Sequence, residues 1–158
     1  MPEKEVVLKR TEPQHVLSIR QKVPTPGYVG TLIGESYGAM MSQGIEPAGP
    51  PMAIYYDETF VPTNLDVEVA FPLAQSVTAS LTSATGLRLV VRELEGIPQA
   101  ACIIHAGSYD SFSETYSALG KWIEANGYQI AGPVREIYLS PPNAETGPVT
   151  EIQMPVSR

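Results

Sequence analysis

The sequence predicts an α+β fold in which one strand–helix–strand–strand unit occurs twice in tandem. The main observation is an internal repeat, because the chain matches itself without a gap at an offset of 83 residues. Each half also has one helical stripe of apolar residues between alternating, β-branched stretches. We therefore expect a single domain over residues 1–158, with repeats at about 1–75 and 84–158 around a central ligand cleft. The shared positions include Gly44, Gly49, Pro50 and Tyr55, which recur as Gly127, Gly132, Pro133 and Tyr138.

The first half opens with an alternating stretch, residues 5–23, that a proline interrupts and that predicts a bent strand or a pair of strands. Thr25 and Pro26 are typical of a helix N-cap followed by proline at the first helical position. The helix should end at Gly44. Two strands are predicted after it, at Met52–Phe60 and Leu65–Leu73.

Three glycines lie inside this first helix at a spacing of four, at positions 30, 34 and 38. Each costs roughly 0.5–1 kcal/mol of helix stability relative to alanine, so the set needs a reason. The reason could be close backbone packing or room for a ligand. Because Ser113 and Ser117 at the matching positions of the second half are also small, we expect close packing.

The second half repeats the same order of elements after a linker of small and polar residues at 76–86. Ser111 and Glu114 fit a capping box at the start of its helix, and Asn126 with Gly127 fits a C-cap at the end. A loop rich in Pro, Asn and Gly separates the last two strands. The strands are predicted at Leu87–Glu95, Gln99–His105, Val134–Leu139 and Thr150–Val156.

The composition disfavours several classes of function. The formal net charge is −7 and no cluster of Lys or Arg occurs, so we expect no direct binding of nucleic acid by this chain. An acidic surface instead favours cationic small molecules. The single cysteine, Cys102, fits a reducing compartment, and neither a signal pattern nor a membrane-length apolar run of ~20 residues occurs. We expect a cytoplasmic protein with no membrane partner.

Sequence motifs for metal, phosphate and covalent chemistry are missing. His15 and His105 have no Cys, Asp or Glu at ligand spacing, and no phosphate loop or dinucleotide fingerprint occurs. No serine has the sequence context of a nucleophile elbow. We therefore expect no metal and no cofactor. The sequence leaves the oligomeric state open.

Strand alternation sorts the matched strands into two faces. Met52, Ile54 and Tyr56, with Arg135, Ile137 and Leu139 in the repeat, form a mostly apolar set that we expect to pack under the helices. We expect the alternate set to face the cleft between the halves, where clefts between packed units favour ligands. That set consists of Ala53, Tyr55 and Asp57, with Glu136, Tyr138 and Ser140 at the matching positions.

Glu136 is the sharpest difference between the halves, because Ala53 stands at its matching position. A solvent-exposed strand residue is the plain alternative, but glutamate is a poor strand former. A single carboxylate among aromatic rings suits a bulky apolar cation, since cation–π contacts add ~0.5–2 kcal/mol each. It also suits a general base. The predicted ligand-binding residues are therefore Glu136, Tyr55, Tyr138 and Ala53, with Tyr109, Tyr116 and Trp122 as further aromatic walls.

The combination of motifs resembles the GyrI-like family of small-molecule-binding domains over essentially the whole chain. The resemblance implies an SHS2-type duplicated fold with an aromatic-lined pocket. In family members that sense drugs for MerR- and AraC-type transcription regulators, a pocket glutamate pairs with lipophilic cations, and Glu136 falls at that position. Other members are hydrolases that open cyclopropane-containing natural products. The segments that carry the resemblance are His105–Tyr109, Trp122–Tyr128, Gly132–Leu139, Thr150–Val156 and Ala53–Asp57.

Three functions follow as hypotheses. The first is a binding module for bulky apolar cations, with Glu136 as the counter-ion, that senses or sequesters them. The second is a hydrolase of reactive cyclopropane-containing compounds, in which Glu136 is catalytic. The third is a protein-interaction module that modulates gyrase. The chain starts almost directly with its first strand, so we expect either a stand-alone protein or the effector domain of a longer regulator that has its own DNA-binding domain.

Overall fold

The computed structural model describes residues 5–57, 61–83, 85–140 and 147–158. These ranges form an α+β fold, as predicted. The last three residues of one predicted strand (58–60), residue 84 of the linker and most of the Pro/Asn/Gly-rich loop (141–146) lie outside them. The strands are β1 Val7–Lys9, β2 Gln14–Val23, β3 Met52–Tyr55, β4 Leu65–Pro72, β5 Leu81–Thr82, β6 Arg88–Leu94, β7 Ala100–Ala106, β8 Gln129–Ile130, β9 Val134–Ser140 and β10 Val149–Ser157. The helices are α1 Tyr28–Ser42 and α2 Phe112–Ala125, and a 3-10 turn at Tyr109–Ser111 precedes α2.

The chain divides into two compact units. Unit 1 consists of Met1–Glu12 and Gly96–Arg158, and unit 2 consists of Pro13–Glu95. In unit 1 the strand order is β1-β7-β10-β9, with β8 paired to β10, and in unit 2 it is β3-β4-β2-β6-β5. Every strand pair within each unit is antiparallel. No helix in the described ranges is long and apolar enough to cross a membrane.

The first strand of each repeat is grouped with most of the other repeat. β1 pairs with β7 in unit 1, and β6 pairs with β2 in unit 2. The predicted strand or strand pair at residues 5–23 is therefore two strands that do not pair with each other. The repeat limits of 1–75 and 84–158 stay a prediction, because the two compact units divide the chain at other residues than the repeats do.

Both helices end in the same backbone pattern, which confirms the predicted ends at Gly44 and Gly127. These glycines have φ angles of +71° and +77°, a region that glycine adopts without steric cost. The N–H of Ile45 donates to the carbonyl of Met40 over 2.9 Å, and the N–H of Tyr128 donates to that of Ile123 over 3.0 Å. This bond defines a Schellman C-cap, and in both cases it occurs at matching positions of the repeat.

The helix starts differ from the prediction. α1 begins at Tyr28, and Thr25 belongs to the preceding turn, where its carbonyl accepts a hydrogen bond from the Tyr28 N–H over 3.1 Å. At α2, Ser111 makes no side-chain capping bond. Its hydroxyl donates instead to the carbonyl of Ser108 over 3.0 Å, so the predicted capping box with Glu114 is wrong.

Each helix covers one face of the sheet in its own unit. In unit 2, α1 contacts β4, and the ring centroids of Tyr37 and Phe71 are 6.4 Å apart. In unit 1, α2 covers a cluster of buried apolar side chains from β7 and β10. This burial is the main stabilising contribution that α2 receives, since hydrophobic free energy follows buried apolar area. The cluster consists of Ala101, Ile103, Leu119, Ile123, Ile152 and Val156.

The glycines of α1 do not pack closely against another element. A Cβ atom added at Gly30, Gly34 or Gly38 would meet no atom within 4 Å outside its own helical surroundings. All three positions are exposed. The predicted close backbone packing is therefore wrong.

Candidate functional site

A buried carboxylate lies on the helix-covered face of the unit 1 sheet. It belongs to Glu136 of β9, which is 5% exposed. Tyr116 of α2 donates a hydrogen bond to its Oε2 atom, and Tyr138 donates one to its Oε1 atom over 2.8 Å. The register partner of Glu136 is Ile152, which belongs to the core beneath α2. The carboxylate is therefore held between strand and helix, with a phenol hydroxyl at each oxygen.

This position corrects the predicted sorting of the two strand faces. The prediction put Glu136 and Tyr138 on the face away from the helices and put the set with Arg135 and Leu139 under them. In the structure Tyr116 reaches Glu136 from α2, whereas Leu139 is 47% exposed. The prediction assumed that the more apolar set must face the helix. That assumption fails here because tyrosine hydroxyls satisfy the polar set in the buried position.

Aromatic rings surround the carboxylate within unit 1. The centroid of Tyr109 is 6.3 Å from that of Tyr138 and 5.0 Å from that of Phe112. Phe112 lies 6.3 Å from Tyr116 in turn. Burial, together with the nearby charge of Glu136, raises the pKa of Tyr109. Three predicted tyrosines are thus brought together with Glu136, at positions 109, 116 and 138. We call these four residues the Glu136 cluster.

Sequence reasoning missed the polar anchor beside these rings. His105 of β7, which has no metal-ligand partner at suitable spacing in the sequence, is buried and contacts both Thr115 of α2 and the carbonyl of Ser108. Phe112 packs edge-on against its ring with the centroids 4.5 Å apart. A signal was available, because His105 shares strand alternation with the core residue Ile103 and so predicts the same face.

The structure does not place Trp122 in the hydrogen-bonded cluster. Trp122 stacks on Tyr128, with centroids 5.8 Å apart and ring planes 9° from parallel. The guanidinium of Arg158 covers the Tyr128 ring at 4.4 Å. Trp122 lies six positions after Tyr116, which corresponds to roughly 9 Å along a helix. That Trp122 contacts a ligand stays a prediction.

The matching strand of unit 2 has the same orientation but a different chemistry. Ala53 is fully buried and is the register partner of Val69, while Tyr55 is the partner of Val67. These residues share a face with Phe71, which contacts α1 through Tyr37. Ala53 and Tyr55 therefore also lie on the helix face of their own sheet, contrary to the predicted sorting. That they share a ligand site with Glu136 stays a prediction.

Several polar residues in and beside the group of tyrosines around Glu136 have apolar residues at the matching positions of unit 2, whereas Tyr138 matches Tyr55. The same strand and helix positions are therefore compatible with apolar side chains. Burying a glutamate is costly, so its presence in one half is not required by the arrangement of elements alone. The matched pairs, in unit 1 and then unit 2, are Glu136 and Ala53, Tyr116 and Ile33, and Thr115 and Leu32.

Two other buried carboxylates in the described ranges meet basic side chains. Glu68 accepts hydrogen bonds from Arg92 Nε at 2.7 Å and Nη2 at 2.6 Å, and one from Tyr56 at 2.5 Å. Burial alone would raise the pKa of Glu68, but the hydrogen bonds from Arg92 and Tyr56 outweigh it and lower the pKa. Glu151 pairs with Lys9. These two carboxylates lie in ion pairs, and Glu136 lies in a tyrosine cluster.

Comparison with known proteins decides the family. Residues 4–157 match the GyrI-like small-molecule-binding domain. The chain belongs to the GyrI-like family. This confirms the resemblance and gives the domain a general role in binding small molecules. A comparison with curated protein sequences gave no match.

Solved structures of similar fold come from regulators and other proteins. The crystal structure of the EcmrR C-terminal domain is 25% identical with a TM-score of 0.83, and the alignment covers 98% of each chain. In an EcmrR–DNA complex the chain spans only 58% of the longer EcmrR chain. A hydrolase from Listeria innocua is 16% identical, with a TM-score of 0.70 over 99% of this chain and 93% of that one. SAV2435 bound to tetraphenylphosphonium is 13% identical, with a TM-score of 0.61 over 97% and 94%. The last two show a shared fold alone.

Proposed function

We propose that this GyrI-like domain binds bulky, apolar organic cations and that Glu136 is their counter-ion. Tyr109, Tyr116 and Tyr138 form walls of the site. The observation that carries the proposal is the buried Glu136 carboxylate, which two tyrosine hydroxyls hold among aromatic rings. The domain acts as a sensor or a sequestering protein for such cations.

The electrostatics of the cluster favour a cation over a neutral molecule. A positive charge about 6 Å from the carboxylate gains about 3 kcal/mol at an effective dielectric constant of about 20. Contacts with the tyrosine ring faces add ~0.5–2 kcal/mol each. The hydrogen bonds from Tyr116 and Tyr138 hold the carboxylate in one orientation before the ligand arrives, which reduces the entropy lost on binding.

The difference between the halves supports a ligand role rather than a folding role. Burial of a carboxylate costs several kcal/mol before its hydrogen bonds are counted. At the matching position Ala53 is buried without this cost. Because folding of this strand position does not require a carboxylate, we assign the charge of Glu136 to the binding of a cationic ligand.

The relatives support a drug- or effector-sensing role. The EcmrR domain of the same fold belongs to a protein that also occurs in a DNA complex, and SAV2435 has a structure with tetraphenylphosphonium. We propose that the present domain takes ligands of the same chemical class, and that a DNA-binding domain, if joined to it in a longer regulator, reads the bound state.

Replacement of Glu136 by glutamine tests the counter-ion role. The change keeps the shape of the side chain and removes its charge. Isothermal titration with tetraphenylphosphonium should show an affinity loss of about 100-fold, which corresponds to the charge interaction of about 3 kcal/mol. The neutral probe triphenylphosphine oxide should change by less than about threefold.

Glu124→Gln is the matched control, because Glu124 is an exposed residue of α2 and the change alters net charge by the same amount. Its effect on tetraphenylphosphonium should stay within about twofold, since exposed charges are screened by solvent and salt. Equal losses for the cationic and neutral probes in Glu136→Gln would reject the counter-ion role. So would equal losses in the two glutamine variants.

A hydrolase is the second candidate, and one observation favours it. A carboxylate with phenol donors at both oxygens has the parts of a general base with adjacent acids. Glu136 would take a proton from water while the water oxygen bonds to a strained ring carbon. The ring bond would break, Tyr138 would donate a proton to the departing carbon, and Glu136 would then return the proton taken from water to the Tyr138 phenolate. The wild type should then turn over a strained cyclic substrate repeatedly. If Glu136→Gln and Tyr138→Phe lose this turnover but still bind the ligand, the domain is a hydrolase rather than only a binding protein.

A further inference from the structure

His105 makes a set of buried polar contacts beside the Glu136 cluster. His105 of β7 is 1% exposed. Its Nδ1 atom lies 2.6 Å from Thr115 Oγ1 of α2, and its Nε2 atom lies 2.7 Å from the carbonyl oxygen of Ser108. His105 therefore links a strand, a helix and the segment between them.

The partners of His105 fix the pattern of donors. A carbonyl oxygen only accepts, so Nε2 carries the hydrogen and donates to Ser108. In the neutral ring Nδ1 then accepts from the Thr115 hydroxyl. Ser111 also donates to the Ser108 carbonyl, over 3.0 Å. One carbonyl at the start of the 3-10 turn is thus held by two side chains.

The 3-10 turn determines where the Tyr109 ring stands. The chain enters the turn through Gly107, whose φ of +125° is a conformation that favours glycine. Tyr109 comes directly after Ser108 and is 39% exposed, so burial alone does not fix its ring. Its ring contacts are with Phe112 and Tyr138. Movement of the turn would therefore displace a wall of the Glu136 site.

We propose that His105 is a positioning residue for ligand binding, which holds the Ser108 carbonyl and thereby places the Tyr109 ring beside Tyr138 and Glu136. This inference rests on the proposed function, in which Tyr109 is a wall of the cation site. The matching residues of unit 2 support it, because Lys22 and Leu32 stand at the positions of His105 and Thr115 and cannot form this anchor. The contacts of His105 with Thr115 and Ser108 therefore occur in the half that contains Glu136, and the repeated fold does not require them.

A double-mutant cycle with tetraphenylphosphonium tests the proposal. His105→Leu removes both ring hydrogen bonds, whereas His105→Gln keeps an N–H donor for the Ser108 carbonyl. We expect His105→Leu to weaken binding about tenfold and His105→Gln to stay within about threefold of the wild type. In a Tyr109→Ala background, His105→Leu should change the affinity by less than about twofold, because the ring that His105 places is missing.

Ile123→Ala is the matched control for a loss of stability. Ile123 lies in the α2 core, and its truncation destabilises the unit by removing buried volume rather than a contact of the turn. Measured where each protein is folded, its affinity should equal that of the wild type. An equal loss from His105→Leu with and without the Tyr109 ring would overturn the proposal. So would a loss in His105→Gln as large as that in His105→Leu.

A measurement without ligand separates this proposal from the proposed function. The ¹⁹F NMR signal of 3-fluorotyrosine at position 109, assigned with Tyr109→Phe, reports the pKa of that phenol. In His105→Leu this pKa should fall towards its ordinary value, as the ring moves away from Glu136 and becomes more exposed. An unchanged pKa would overturn the positioning role. If the pKa falls but Glu136→Gln binds tetraphenylphosphonium normally, the positioning of the ring stands and the proposed function fails.

Discussion

Replacement of Arg92 by methionine should destabilise the protein by about 3 kcal/mol, whereas the same replacement of Lys9 should cost at most about 1 kcal/mol. The two residues occupy matching positions of the repeat, and so do their partners Glu68 and Glu151. In each pair the basic residue comes from the first strand of one repeat and the carboxylate from the last strand of the other. The chain therefore contains two ion pairs at matching positions, and the two pairs differ in how far they are buried.

The difference in magnitude follows from the burial of the carboxylate and from the number of hydrogen bonds that each replacement removes. Glu68 is 3% exposed and accepts two hydrogen bonds from Arg92, so the variant leaves a buried carboxylate without its cation. Such a loss costs about 3–5 kcal/mol, and the remaining bond from Tyr56 favours the lower end. The Lys9 side chain is 47% exposed against 36% for Arg92, and it donates one hydrogen bond to its carboxylate rather than two. Glu151, at 11% exposure, keeps a bond from Gln153 over 2.8 Å. Pairs of that kind contribute about 0–1 kcal/mol because water screens them.

The pH dependence provides a check with a definite sign. In the wild type the pKa of Glu68 is lowered from its ordinary value of 4.5, so the pair stabilises the fold above that pH and loses its effect as the pH falls through the folded pKa. In Arg92→Met burial becomes the dominant influence and raises the pKa of Glu68. The variant should therefore become less destabilised relative to wild type as the pH falls from 7 to about 4.5.

Urea unfolding followed by circular dichroism at pH 7 and at pH 5 measures both effects. With a denaturant slope of about 2 kcal/mol per molar, Arg92→Met should lower the urea midpoint by about 1.5 M and Lys9→Met by at most about 0.5 M. Equal shifts in the two variants would refute the reasoning from burial. A gap between Arg92→Met and wild type that grows on acidification would refute the reasoning from the pKa of Glu68.

Two further predictions concern single residues away from the Glu136 cluster. Gly34→Ala should raise the free energy of unfolding by about 0.5–1 kcal/mol in a urea titration, because its added methyl group meets open space and alanine favours helix; a loss of stability would contradict this. Cys102 should resist Ellman's reagent at pH 8 in the folded protein and react once urea unfolds it, since burial raises the pKa of its thiol to about 11; rapid labelling of the native state would count against this.

The sequence was sufficient for features that depend on neighbouring residues. The ends of both helices followed from Gly44 and Gly127, because a left-handed C-cap is a local requirement that glycine meets. Most strands in the described ranges also begin and end within a few residues of their predicted limits, since β-branched alternation is local as well. The helix starts failed because Thr25 and Ser111 could form turns as easily as caps.

Features that depend on distant partners could not be predicted in the same way. Residues 5–23 look like one strand region, and nothing local indicates that β1 pairs with β7 while β2 pairs with β6. The predicted face of the sheet for Glu136 was wrong for the same reason. Its place under α2 depends on the hydroxyl of Tyr116, twenty residues earlier in the chain. Glu136 and its three tyrosines could be named from the sequence, but their orientation and the contacts of His105 beside them required the tertiary structure.

The pattern of agreement between the halves indicates which residues serve folding and which serve ligand binding. The N–H groups of Ala48 and Ala131 donate to the carbonyls of Pro72 and Pro155 over 2.8 Å in both halves, so these positions repeat in geometry as well as sequence. Glu136 breaks the match together with Tyr116, which stands opposite Ile33, whereas Tyr138 matches Tyr55. The same backbone pattern occurs in both halves, and Ala53 is sufficient at this position in one of them. The backbone pattern itself therefore does not require the buried carboxylate of Glu136 in the other half. We therefore infer that Glu136 and the residues that differ around it, together with the shared Tyr138, set the ligand chemistry of this domain.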